Sequence, residues 1–207
     1  MPPRMDRTGE RGKNNFGSEI VISRYSLACD VDIHFPQYEW TAKNRQYKEF
    51  TSGTVKCPYE RRIHGVGYLG EGDYLTHDKK ENLMEYQIWY AMLGKCYNKE
   101  YWDYKYYGAL GFTVCEEWHC YQNFAEWYHT VYKNKKTKTT AMTHKLLNNE
   151  KVLSPQNCII VPRKVIQQHR EQWDGIDEVI HNLCVGVGEE LELITEDILT
   201  EYTTSHY

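Results

Sequence analysis

No stretch of this chain approaches the roughly 18 consecutive apolar residues that a membrane-spanning helix needs. No Cys-x-x-Cys pair occurs among its seven cysteines, an odd number, so neither a set of paired disulfides nor the usual zinc spacing is written in it. Phenylalanine is scarce, five against eighteen tyrosines and six tryptophans. Most rings available for a core therefore bring an O–H or N–H that needs a partner once buried. Lys and Arg are missing altogether from Glu171 to Tyr207, a segment with ten acids. These absences lead us to expect a cytoplasmic protein with reduced thiols and no membrane partner.

What is present suffices for a core: 41% of the 207 residues are hydrophobic and 14% aromatic, which fits one or two small domains. The charge is unevenly placed. All 25 basic residues lie in residues 1–170, against 19 acids there. That asymmetry suggests a basic face for nucleic acid and an acidic appendage; the plainer reading, acids that merely solubilise a tail, stands beside it.

Residues 1–14 mix Pro, Gly and charge with almost no apolar pattern and read as a flexible basic arm, with Arg4, Arg7, Arg11 and Lys13 able to touch phosphate. From 15 to 60 the pattern is short β segments. Ile20 and Ile22 share one face of a strand, and Val31, Ile33 and Phe35 repeat with period two before Pro36 stops them. With Tyr38, Trp40, Tyr47 and Phe50 as core rings, a small antiparallel β-barrel-like module is expected. Gly65, Gly67, Gly70 and Gly72 crowd the connector that follows, but it lacks Gly-Lys-Ser/Thr and reads as a glycine-rich strand and turn rather than a nucleotide loop.

Two helices stand out. Tyr86, Trp89, Tyr90, Leu93 and Cys96 or Tyr97 recur at helical spacing over 85–97, and Phe124, Trp127, Tyr128 and Val131 do so over 122–132. Between them lies an aromatic loop, Tyr101-Trp102-x-Tyr104-x-Tyr106-Tyr107, interleaved with Lys99 and Lys105; such rings serve packing or stack on bases. Cys115, His119 and Cys120 look like zinc ligands, yet no second pair follows at finger-like spacing, so Cys115 is read as a small buried strand residue and His119 and Cys120 as opening a helix. Lys133, Lys135, Lys136 and Lys138 then form a run suited to phosphate.

The segment from Met142 to Gln168 reads as strand, polar turn, strand and helix. Asn148-Asn149-Glu150-Lys151 supplies the turn, and Pro162 stops the apolar run Cys158-Ile159-Ile160-Val161. A ββα unit of this size brings one His and one Asn together, a layout that small metal-dependent nucleases use on a phosphodiester.

Several motifs occur in one order: His64-Gly65-Val66-Gly67-Tyr68, Tyr86-x-x-Trp89-x-x-Met92-Leu93-x-x-Cys96-Tyr97, Tyr104-x-x-Tyr107-Gly108, Val114-Cys115-Glu116-Glu117-Trp118, Asn123-Phe124-x-x-Trp127-Tyr128 and Ser154-Pro155-x-Asn157-Cys158. Together with Asn15-Phe16-Gly17, they resemble a family of phage and prophage HNH endonuclease-like proteins over about residues 15 to 168. The resemblance implies an α+β fold: the β module (15–60), an HNH-like ββα domain (61–170) and here an acidic C-terminal segment (171–207) where family members often continue into a plant-type DNA-binding domain. It implies a DNA-binding protein in the cytoplasm of a bacterial host cell. It also implies metal-dependent DNA cleavage, with His144 as general base, Asn157 orienting it, and Mg²⁺ or another divalent ion as cofactor if the chain is active.

The sequence departs from that pattern in two places. Met142-Thr143-His144-Lys145 stands where relatives carry an acid-rich Leu-Asp-Lys-Asp type strand, and Gln167 and Gln168 stand at paired Asn positions. The metal ligands are therefore unassigned and the active site reads as degenerate. DNA contacts are expected from Lys133, Lys135, Lys136, Lys138, Arg163 and Lys164. The alternative is a non-catalytic anti-defence protein that inhibits a host nuclease or defence complex through Glu189, Glu190, Glu192, Glu196 and Asp197.

Overall fold

The computed structural model of the chain describes residues 5–79, 81–131, 140–143 and 151–162. The fold is α+β and divides into two compact units, Met1–Arg62 with Gly67–Glu71, and Ile63–Val66 with Gly72–Tyr207.

The first unit is a four-stranded antiparallel sheet in the order β1 (Arg11–Lys13), β2 (Glu19–Leu27), β3 (Asp30–Phe35) and β4 (Trp40–Arg45), followed by the short helix α1 (Tyr47–Thr51). The alternation read from the sequence decides which face is covered. Ile20, Ile22, Val31, Ile33 and Phe35 are all fully buried, with Ala42, Phe50, Val55 and Cys57, and the rings of Tyr38, Trp40 and Tyr47 pack against them half-buried. The register of β2 on β3 shifts after Ile22 and again after Tyr25. There Arg24 bridges Asp30 and Asp32 on the exposed face, at 2.7 and 2.8 Å.

The described part of the expected basic arm is not an arm. Arg11–Lys13 pairs with Glu19–Val21, and the backbone bonds Gly9 N to Ile22 O and Ile22 N to Glu10 O extend the ladder. Gly12 explains why no apolar pattern announced this strand. It lies over Phe50, whose Cζ would sit 3.3 Å from any Cβ at that position, so the strand meets the core with bare backbone. Its arginines have partners within the unit: Arg7 donates to the Tyr47 hydroxyl at 2.7 Å, and Arg11 pairs with Glu19 at 2.8 Å.

One buried carboxylate organises the loops of this unit. Glu60, 2% exposed, accepts from the Asn14 amide and from the Cys57 backbone N–H and pairs with Arg62. Asn14 in turn donates to Val55 O and accepts from the backbone N–H groups of Phe16 and Ser18. Two loops far apart in sequence thus share one polar network, and such groups are costly to leave unpaired.

The second unit is built on α2 (Met84–Tyr97) and α3 (Tyr121–Val131), which pack together. A two-residue hairpin, β5 (His77–Asp78) with β6 (Glu81–Asn82), leads into α2. Between the helices run the aromatic segment, the strand β7 (Thr113–Val114) and a 3₁₀ turn over Glu116–His119. The buried face of α2 is Trp89, Met92, Leu93 and Cys96, whereas Tyr90, expected on it, is 41% exposed and rests against His64. The rings satisfy their polar atoms inside the core, as their composition requires. Trp89 Nε1 donates to Trp118 O at 2.7 Å, and the Tyr121 hydroxyl to Leu75 O at 2.7 Å.

Cys29, Cys57, Cys96, Cys115, Cys120 and Cys158 are free thiols, and burial pushes those of Cys96 and Cys158 up to about 12, so both stay protonated and inert. Cys115 follows β7 directly and is half-buried, while His119 ends the 3₁₀ turn and Cys120 precedes α3.

Replacing Glu60 by Leu takes from the Asn14 amide one of its two acceptors, leaving it Val55 O, and leaves the Cys57 N–H without its acceptor. The expected cost is about 1–3 kcal/mol for each group left unpaired, measured as a lower urea midpoint at unchanged slope. An unchanged midpoint would show that the carboxylate does not organise the loops.

Candidate functional site

Beyond α3 the described residues of unit two form three short strands. β8 (Thr140–Thr143) pairs antiparallel with β10 (Ile159–Pro162), with Thr143 opposite Ile159. β8 runs beside α2 and β10 beside α3. Between them in the chain, β9 (Val152–Leu153) leaves this pair and joins β7 in parallel, where Thr113 N donates to Lys151 O at 2.8 Å and Cys115 N to Leu153 O at 2.9 Å. The sequence reading contained the β8–β10 pair but not β9. A two-residue strand carries no periodicity, and its partner lies far upstream.

The turn from β9 to β10 is where Asn157 sits, 2% exposed. Its backbone N–H closes the turn onto Ser154 O at 3.1 Å, and its side-chain Nδ2 reaches back to Val152 O at 2.9 Å. Pro155 favours the turn, and the buried carboxamide fixes the angle at which β10 leaves β9. Thr143, the chain neighbour of His144, faces Ile159, two residues beyond Asn157. His144 itself lies outside the described residues, as do Lys133, Lys135, Lys136, Lys138, Arg163, Lys164, Glu189, Glu190, Glu192, Glu196 and Asp197.

The chemistry of the described donors can be compared with the needs of a divalent ion. Residues 140–143 and 151–162 contain no Asp, Glu or His, and a hard cation such as Mg²⁺ asks for carboxylate oxygens. This stretch does not fit such an ion by itself. No group of three or more His, Cys, Asp or Glu stands ready to hold a metal among the described residues. His119 has other company: its Nε2 lies 3.2 Å from the Tyr97 hydroxyl and its Nδ1 3.2 Å from Glu116. That hydroxyl also accepts from the Val114 N–H at 2.9 Å, which ties β7 to α2.

Two features here carried little signal in the sequence. Gln122 clamps Tyr74 at both backbone atoms, accepting from its N–H at 3.0 Å and donating to its carbonyl at 2.9 Å. Gly72 makes room for it, since a Cβ there would fall 2.3 Å from Gln122 Oε1. His64, at φ 50°, packs on Tyr90 with ring centroids 4.4 Å apart and near Tyr101 at 6.0 Å. Gly94 is the floor beneath it, 3.1 Å from His64 Nε2 by the position its Cβ would take. That nitrogen is buried and meets no hydrogen-bond partner among the described residues.

Compared with family models, with curated proteins and with solved structures, the chain matches none.

Burial pushes the His64 imidazole below its ordinary 6.5, partly opposed by a bond to the Tyr90 backbone. The unfolded chain then binds a proton that the folded one resists, so this contribution is complete above pH 6.5 and is lost as pH falls below it. His64→Phe keeps a ring and removes the titration. Urea melts of wild type and variant on either side of that pH should show a shallower acid loss in His64→Phe; parallel curves would rule the residue out.

Proposed function

We propose that this chain is an HNH-like DNA-binding protein that holds DNA through the strand pair of unit two and the lysine-rich segments adjoining it in the chain. The observation that carries the reading is the β8–β10 pair, packed beside α2 and α3, with Asn157 buried in the turn that launches β10. Those are the strand positions at which the motif resemblance expects an HNH unit.

The charge supports it. Residues 132–170 hold nine Lys and Arg against one acid, Glu150. Such a cluster neutralises phosphates without reading sequence and yields affinity that falls steeply with salt. DNA cleavage is the further step of the same reading, with His144 as general base. Asn157 supports that step as the residue that sets the turn, and its reach to Val152 O makes it a positioning residue in our account.

The acidic segment favours a second reading. Ten acids and no base in residues 171–207 suit either a cover for the chain's own cations or a surface that binds a basic protein, as an inhibitor of a host nuclease or defence complex would.

Three measurements test these statements. Replacing Lys133, Lys135, Lys136 and Lys138 by Ala should flatten the slope of log affinity for duplex DNA against log salt by up to about 0.9 for each lost phosphate contact; an unmoved slope would place the interface elsewhere. If the chain nicks plasmid with Mg²⁺ or Mn²⁺, His144→Ala should reduce nicking by roughly 10²–10⁴-fold with the fold intact, and full activity in that variant would remove His144 from the chemistry. Deleting residues 171–207 should raise DNA affinity most at low salt if the acids cover the cations. Unchanged DNA affinity together with lost binding to a basic protein partner would favour the inhibitor.

A further inference from the structure

The aromatic segment between α2 and β7 divides its rings into two sets. Tyr101, Tyr104 and Tyr107 recur every third residue through a run of turns bonded Tyr101 N to Asn98 O, Tyr104 N to Tyr101 O and Tyr107 N to Tyr104 O. In 3₁₀ geometry that spacing puts them on one side, and all three are half-buried. Tyr101 packs on Gly94 and Tyr104 on Gly108, each so closely that a Cβ on the glycine would overlap the ring. Tyr107 lies edge-on to Phe112, and burial pushes its hydroxyl up to about 12. Buried Asp103 pins the middle of the segment through Lys95 at 3.2 Å. With those rings held inward, Trp102 and Tyr106 are left outside, 74% and 56% exposed.

A tryptophan three-quarters exposed on an anchored backbone is poorly explained by packing within this unit, and its surroundings indicate what it meets. Among the described residues, the exposed charges in and beside this segment are Lys99, Lys105 and Lys151 with Glu100, while Glu116 and Glu117 lie past β7. The Lys105 amine sits 4.7 Å over the Tyr106 ring, and Lys151 Nζ donates to Leu110 O at 2.9 Å. That last bond joins the aromatic segment to the chain entering β9. Flat rings on a rigid backbone, rimmed by amines, suit unpaired bases with their phosphates beside them. A protein-binding hot spot instead packs its rings into a desolvated pocket, whereas Trp102 and Tyr106 stand open beside amines.

We propose that Trp102 and Tyr106 form a stacking platform for unpaired bases, so that the ligand of this unit is DNA carrying a single-stranded stretch. This rests on the DNA-binding reading and names its substrate class. The inward rings hold the platform in place before any ligand arrives, so little ordering accompanies binding. Sequence is not read, because every base offers a face to stack.

The test measures binding of the full chain, by fluorescence anisotropy at fixed salt, to a blunt duplex and to the same duplex with a single-stranded extension of about eight nucleotides, a length typical for such platforms. The wild type should prefer the extended duplex. Trp102→Ala should weaken binding to it about 5- to 150-fold, the range for loss of one base–ring stack, and leave the blunt duplex unchanged. Trp102→Phe keeps a ring and should retain most of the preference, and since Trp102 is so exposed, the variants should share the wild-type circular dichroism spectrum. A wild type that binds both duplexes equally, or a Trp102→Ala variant with undiminished preference, overturns the platform while the DNA-binding reading stands. Binding to neither duplex overturns both. Self-association that Trp102→Ala abolishes while the preference persists overturns the platform in favour of a contact between two copies of the chain.

Discussion

The indole N–H of Trp89 donates to the carbonyl of Trp118 at 2.7 Å, and both side chains are within 1% of full burial. In so dry a place an unpaired donor would be costly, so the bond fixes one register between α2 and the 3₁₀ turn of Glu116–His119. Much follows from that register. The turn directly follows β7; β7 is tied to the Tyr97 hydroxyl and offers its backbone to β9; and β9 leads into the Asn157 turn and β10. Ring packing of Trp118 on Phe124 and Trp127, and of Trp89 on Tyr121, surrounds the bond and excludes water from it. The polar handles of the tryptophans and tyrosines therefore act as locators in a core whose apolar contacts alone would tolerate sliding.

The sequence made some of this legible and hid the rest for physical reasons. Period two in Ile20, Ile22, Val31, Ile33 and Phe35 reveals the sheet because one face is buried, and the helical spacing of Trp89, Leu93 and Cys96 reveals α2 for the same reason. β1 left no such trace, since Gly12 lets backbone do the packing. β9 left none because its partner, Thr113–Val114, is distant in sequence. Tyr90 was misplaced because helical spacing cannot say how wide a buried stripe is, and a tyrosine at its margin rests equally well on a histidine ring. At the candidate site, residue types and order pointed to Asn157. The bond from its carboxamide to Val152 O depends on a turn that only the folded chain displays.

Charge and aromaticity are handled differently in the two units. The first pairs several of its arginines internally, as with Arg7 on Tyr47 and Glu10, and Arg24 on Asp30 and Asp32. The described part of the second leaves Lys99, Lys105 and Lys151 exposed beside open rings. A surface that retains both exposed amines and open rings keeps two kinds of affinity available. One weakens with salt and the other hardly does.

The parallel pairing of β7 with β9 also bears on the order in which the protein takes shape. Leu153 is completely buried, yet it belongs to a strand synthesised after α2, β7 and α3. The helical core is assembled from neighbours in sequence, and such local contacts form first. Until residue 153 emerges, that core has a gap beside Val114 and an unpaired strand edge. A nascent chain is then open at the very edge from which the candidate site is later built, and closing it comes after the helices rather than before them.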